Sequence, residues 1–372
     1  MPKSRLRAIL TLFCITLVIP ALLIAIAEIS TRIFGRHVEP LSVFVSSPQL
    51  RMDTQGEKTS GLFEFDPLLT WRLRPNLRNV WWDYTSVSTN SIHIRMKGEP
   101  ATKRGLHIIT LGDSVTFGYR VPAAMEKEKP EEFDAEEKAY PQLLEEMLRE
   151  KFPGHEIEVI PLACPGYTSG QGLAWLRRDI AELRPDIVTA CFGWNDVRAA
   201  GAPDRDTMPG TASQVRIRSL MSRSQLLLQI AQSAKAKTTP PILKSEPRSS
   251  AEEYAAHFAG MSALCREHGA WFGIILPVYR DPNTSGDYPE EQNNIGNPAE
   301  GERMTQYRNQ LRSAASAQKI PALEIMELTE QSWPTNIELF GERIHPNASG
   351  HRLIAGRLLE FIGPAVKERI RQ

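Results

Sequence analysis

Cysteine is scarce in this chain, with four residues in 372, which excludes a small disulfide-stapled scaffold. Charge of one sign is lacking as well. Lys plus Arg and Asp plus Glu stand at 44 each, so no chain-wide field favours a polyanion, and nucleic acid is not expected as a partner. No phosphate loop is present, because neither Gly112 to Gly118 nor Gly166 to Gly172 carries the Gly-Lys-Ser/Thr ending. His345 and His351 have no accompanying set of carboxylates or thiols, so neither a metal nor a cofactor is expected. A Gly-x-Ser-x-Gly elbow is absent too: Gly112 precedes Ser114 by two positions, but Thr116 stands two positions after it.

What the chain does have is a long apolar run near its start. Lys3, Arg5 and Arg7 precede a 20-residue stretch, Ala8 to Ala27, without a charged residue, about the length that crosses a hydrocarbon core as a helix. The basic flank belongs on the cytoplasmic side and the remainder on the far side. Ala25-Ile26-Ala27 offers a signal-peptidase site, which would release a secreted form starting near Glu28. The stretch is longer than a usual signal core and favours an uncleaved anchor within residues 1–34.

Residues 35–104 read as an extension that packs on the core. It interleaves aromatics and prolines at Phe63 to Pro67, Trp71 to Pro75 and Trp81-Trp82. Such aromatics suit burial better than a platform for sugar or lipid. Beyond it, short apolar runs at His107 to Leu111, Ile157 to Leu162, Ile187 to Phe192, Phe272 to Leu276 and Ala322 to Ile325 read as strands. Helical patterns cover Tyr140 to Lys151, Gly172 to Leu183 and Leu353 to Ile370. The alternation predicts an α/β fold with a parallel sheet covered on both faces, and ligands bind such sheets outside the carboxyl ends of the strands.

Chemistry gathers at those ends. Gly112-Asp113-Ser114 leaves the first strand, and Glu342-Arg343-Ile344-His345 lies 231 residues beyond the serine. A serine hydroxyl becomes nucleophilic when a histidine takes its proton, and the histidine needs an acceptor to hold its ring. Cys164-Pro165-Gly166 and Gly193-Trp194-Asn195-Asp196 follow two other apolar runs. In these four ordered blocks the chain resembles the SGNH (GDSL-type) hydrolases, over roughly residue 105 to the C-terminus. The resemblance implies a three-layer, flavodoxin-like fold with a five-stranded parallel sheet. It also implies Ser114 as nucleophile, His345 as base, and the Ser114 and Gly166 amides with the Asn195 side chain as oxyanion donors. Asp113 and Asp196 then shape their loops. The family acid is usually aspartate and here it is Glu342, with Glu338 the next candidate; a main-chain carbonyl could orient the ring instead. In this fold Cys164 and Cys191 end strands on opposite sides of the first, about 9 to 10 Å apart, too far for a disulfide. Buried thiols are therefore expected at Cys164, Cys191 and Cys265.

The catalytic domain, residues 105–372, carries insertions near 126–138 and 198–250. The first is a charge run and reads as a solvated rim. The second holds a helix, Ser219 to Ala234, and a linker-like segment, Lys235 to Ser250. Asp281 to Gly301 is a further long loop. The expected function is a serine esterase acting outside the cytoplasm on an ester of a glycan or lipid. An O-acyltransferase modifying an exported polysaccharide and a non-catalytic carbohydrate-binding protein are the alternatives.

Overall fold

The computed structural model describes residues 7, 11–45, 61–82, 85–96, 98–100, 105–119, 121, 138–200, 202–238, 246–278, 298–329, 339–340 and 344–371. Glu338, Glu342, residues 126–137 and residues 281–297 lie outside the described residues. The principal strands are β1 Leu106–Gly112, β2 Ile157–Ala163, β3 Ile187–Cys191, β4 Trp271–Ile275 and β5 Ala322–Leu323. The longer helices are α1 Thr11–Phe34, α2 Tyr140–Lys151, α3 Ser169–Leu183, α4 Ala212–Met221, α5 Gln225–Thr238, α6 Ala251–Glu267, α7 Pro298–Ala317 and α8 Ala348–Ile370. The chain divides into two compact units. One comprises Met1–Arg51, Phe65–Trp71 and Pro209–Leu243; the other comprises Met52–Glu64, Arg72–Met208 and Lys244–Gln372.

The larger unit holds a five-stranded parallel sheet in the order β5-β4-β3-β1-β2. All seven residues of β1 are buried, as a central parallel strand covered on both faces requires. Register then fixes the level at which the loops emerge. Gly112 pairs with Ala163 on one side and Cys191 on the other, so three strands end together and deliver their loops to one edge. Gly112 is a glycine because a Cβ there would overlap the Thr116 side chain. Cys164, Cys191 and Cys265 are buried thiols; the first two stand at the ends of the strands that flank β1, and Cys265 lies in α6 rather than near a strand.

Helix starts are written in polar side chains. Thr168 with Gln171 forms a capping box on α3, Ser250 with Glu253 does so on α6, and Asn347 Oδ1 accepts the Gly350 N–H at the start of α8. Tyr140, Leu144 and Leu148, four apart on α2, are buried in a core shared with Ile354, Leu358 and Ile362 of α8.

In the smaller unit the single helix expected over Ser219 to Ala234 is two helices, α4 and α5. The break is chemical. Ser224 Oγ accepts the Leu227 N–H at 3.1 Å, and the Glu28 carboxylate accepts the Gln225 and Leu226 N–H groups, both at 3.0 Å. Together they restart the helix as a new N-terminus. The supposed linker after Lys235 is also partly built. Lys235 Nζ donates to the Val43 and Val45 carbonyls, and in the larger unit Glu246–Pro247 pairs antiparallel with Ala199–Ala200. Composition missed both because each contact is long-range in sequence.

Candidate active site

Ser114 opens a one-turn helix, Ser114–Phe117, directly after β1. Asp113 caps it, its Oδ1 accepting the Val115 N–H at 2.9 Å. The turn closes at Gly118, whose φ of 77° suits glycine, and the Tyr119 N–H returns to the Ser114 carbonyl at 2.9 Å. His345 Nε2 lies 2.8 Å from Ser114 Oγ. The Phe340 to Pro346 bridge and the Asn347 N–H donated to the Leu339 carbonyl brace the segment that carries His345. Tyr119 packs its ring 4.5 Å from the imidazole, so the histidine is buried and has one face covered. Glu342 lies outside the described residues.

Gly166 turns the loop after β2 with φ 83°, a left-handed conformation that favours glycine. Its carbonyl accepts a 2.6 Å hydrogen bond from Arg248 Nη1. The same guanidinium donates to Gln171 Oε1 at 2.8 Å and, through Nε, to Asp204 Oδ1 at 2.9 Å. Asp204 Oδ2 in turn accepts the Thr168 hydroxyl at 2.6 Å. Asn195 sits in a one-turn helix, Trp194–Val197, after β3. Its Nδ2 donates to the Tyr167 carbonyl at 3.0 Å and to Asp113 Oδ2 at 3.3 Å. The three loops are thus tied to one another by side chains.

Two buried carboxyls hold these loops. Desolvation pushes Asp113 up to about 6, against the opposing pull of the Val115 N–H, the His345 charge and the Asn195 amide. Asp196 is pushed up to about 7 by burial, although it accepts the Ser169 and Ser249 hydroxyls at 2.6 and 2.8 Å and the Ser169 N–H. Asp113 joins the Ser114 turn to Asn195, and Asp196 joins Ser169 to Ser249.

Ser114, His345, Gly166 and Asn195, expected together from four separated blocks, come to one edge of the sheet. Three further residues were not anticipated. Arg248 anchors the Gly166 turn but stands in a segment of low complexity. Arg95 donates to the Phe117, Gly118 and Val121 carbonyls at 2.5, 2.9 and 3.0 Å and lies 4.6 Å from the Phe117 ring, so it fixes the exit of the nucleophile turn. Burial lowers its guanidinium to about 10. His351 Nδ1 accepts the Tyr140 N–H at 3.2 Å, and burial, with Arg95 and His345 nearby, pushes it down to about 3. It is therefore a neutral acceptor joining α8 to α2.

The family model described as GDSL-like lipase/acylhydrolase matches residues 110–353. An arylesterase from Vibrio mimicus is 32% identical over 96 residues, 26% of this chain and 40% of that protein, so the alignment spans less than half of that relative. Among solved structures, a hydrolase from the metagenome of Lake Arreo, Spain, is 20% identical, covering 70% of this chain and 95% of that one with a TM-score of 0.42. A catalytic mutant of an acetylxylan esterase from Geobacillus stearothermophilus is 18% identical, covering 70% and 94%, with a TM-score of 0.43. With its four sequence blocks, its parallel sheet and a family match over most of its length, the chain belongs to the GDSL-like lipase/acylhydrolase family.

Proposed function

We propose that the chain is a serine-dependent carboxylic ester hydrolase working through an acyl-enzyme on Ser114. The observation that carries this reading is the 2.8 Å approach of His345 Nε2 to Ser114 Oγ at the carboxyl end of the central strand. His345 removes the hydroxyl proton as Ser114 attacks the acyl carbon. The Ser114 and Gly166 N–H groups and the Asn195 amide hold the oxyanion, the substrate oxygen replacing the longer Asn195 bond to Asp113. His345 then protonates the leaving alcohol, and water activated by the same imidazole cleaves the acyl-enzyme. Glu342 is assigned as the acceptor that orients the His345 ring.

The same proposal places this chemistry outside the cytoplasm. The helix Thr11–Phe34 is long and apolar enough to cross a membrane, and none of its most apolar window is buried, which suits a membrane anchor with Lys3, Arg5 and Arg7 on the cytoplasmic side. Retention rather than cleavage after Ala27 is favoured by Glu28, which caps α5 from within this helix. The substrate is an ester of a glycan or lipid reachable from the membrane surface. Purified full-length chain should release acid from at least one of a set of acetyl, butyryl and long-chain esters and acetylated oligosaccharides. Exclusive transfer to an added oligosaccharide, with no hydrolysis, would reassign it as an acyltransferase.

A further inference from the structure

Outside α1, the described residues expose five large hydrophobic side chains, and four of them, Ile217, Leu220, Leu227 and Ile230, lie on α4 and α5. They are 41–65% exposed, whereas Leu228 between them is fully buried. Each pair is spaced by three residues and so shares one helix face. The pairs flank the corner Ser222 to Ser224, with Leu220 and Leu227 within about 5 Å of it along their helices.

This corner is fastened to α1 at the residue where the uncharged stretch ends. Glu28 accepts the Ser224 hydroxyl at 2.7 Å and the Gln225 and Leu226 N–H groups, and Arg32 Nη2 donates to the Arg223 carbonyl at 2.5 Å. Charge is one-sided here. From residue 209 to residue 243 the chain carries Arg216, Arg218, Arg223, Lys235 and Lys237 and no Asp or Glu, in a protein whose total charge is zero. Arg216 and Arg223 are exposed, whereas Arg218 is buried against the Phe44 and Phe65 rings.

We propose that the α4–α5 corner is seated on the surface of an anionic bilayer. Its four apolar side chains enter the boundary between headgroups and acyl chains, and Arg216 and Arg223 face lipid phosphates. The inference rests on the reading of α1 as a retained anchor. Glu28 then lies at the level of the headgroups, and the corner bonded to it cannot stand away from them. Apolar side chains flanked by cations, on two helices that carry no acid of their own, are the combination that interfacial helices present to anionic lipid. A protein partner would leave the lack of Asp and Glu along residues 209 to 243 unexplained.

The test uses the full chain with Cys14→Ser and a single added cysteine, Leu227→Cys or Ile230→Cys, carrying an environment-sensitive fluorophore. Cys164, Cys191 and Cys265 are buried and stay unlabelled. The chain is reconstituted in vesicles of phosphatidylglycerol and phosphatidylethanolamine, or of phosphatidylcholine alone, with a spin label near the headgroup. In the anionic vesicles both positions should emit to the blue and lose intensity to the quencher, less so in phosphatidylcholine. Glu360→Cys, exposed on α8, should report water. A parallel sample labelled at native Cys14, with a quencher deep in the acyl chains, reports the anchor separately. Water-like emission at 227 and 230 with Cys14 embedded overturns the inference and leaves the anchor standing. An unquenched Cys14 overturns the anchor and the inference together. A blue shift that grows with protein-to-lipid ratio without lipid quenching identifies a second copy as the occupant, and equal quenching in both vesicles refutes the anionic surface.

Discussion

In the larger unit every residue of Leu106–Gly112 is buried, whereas in the smaller one α1 exposes Leu22, Leu23, Ile24 and Ile26, and the α4–α5 pair exposes Leu220 and Ile230. The polar groups differ in the opposite sense. Asp113, Asp196 and His351 are taken out of water in the larger unit, and each is held by specific donors or acceptors, because a buried polar group left unpaired is costly. The charged groups of the smaller unit that bind its helix ends, Glu28 and Arg32, stay near the surface. Apolar content therefore does not by itself mark a core. What marks the core here is apolar sequence combined with buried polar groups whose partners come from distant segments.

If reaction chemistry resides in that buried network, the largest effect belongs to the nucleophile. Ser114→Ala should lower kcat by about 10⁴- to 10⁶-fold while leaving the urea midpoint of unfolding nearly unchanged, since one half-buried loop hydroxyl is lost. Parent-like turnover in the variant would break the comparison at its centre. Next comes Glu342, proposed as the orienting acid. Glu342→Gln should reduce kcat by about 10³- to 10⁴-fold by favouring the wrong imidazole tautomer, with Glu342→Asp well above it. Equal rates in both variants and the parent would remove Glu342 from the site and leave Glu338 or a main-chain carbonyl as orienter.

Asn195→Ala should cost about 100- to 1000-fold in kcat with little change in KM, the scale of one oxyanion donor. Arg248 sharpens the account because it bonds the Gly166 carbonyl. Removing its charge would strand Asp204 in a buried position, so the informative change is Arg248→Lys, which keeps the ion pair but loses the fork that reaches Gly166, Gln171 and Asp204 together. A fall of about tenfold in kcat with KM and stability nearly unchanged is expected, in line with small misplacements of reacting groups. A change in KM alone would assign Arg248 to binding instead.

The smallest effect concerns acid. The His351 pKa is depressed to about 3 from 6.5 in the folded chain, so between these values the unfolded state binds more protons and stability is lost as pH falls through that window. Asp113 and Asp196, raised to about 6 and about 7, act oppositely: the folded state holds their protons longer, and stability falls as pH rises from about 4 to 7. His351→Gln removes only the first contribution. The gap in urea midpoint between parent and variant should therefore shrink steadily on acidification from about pH 7 to pH 4. A pH-independent gap would mean that His351 titrates alike in both states.

Much of the larger unit was legible in the sequence because its signals are local. The runs around Ile108, Ile160 and Val188 are apolar enough to be strands whatever surrounds them, and Ser114, Gly166 and Asn195 stand where those runs stop. Their convergence follows from register, which a parallel sheet with three strands ending level leaves little room to vary. Arg248 and Arg95 were not legible. Each bonds backbone carbonyls far away in sequence, and an arginine among serines or beside a methionine carries no local mark of that. The α4–α5 break was hidden for the same reason: Ser224 alone is an ambiguous cap, and the carboxylate that completes it comes from Glu28, nearly two hundred residues earlier.

The central claim is that Ser114 is an activated nucleophile, and an active-site-directed fluorophosphonate tests it most directly. After reaction of the full-length chain, mass mapping should find the adduct on the peptide containing Ser114 and on no other serine, and both Ser114→Ala and His345→Ala should abolish it. Absence of any adduct on the parent, or an adduct that persists in Ser114→Ala, would contradict the account.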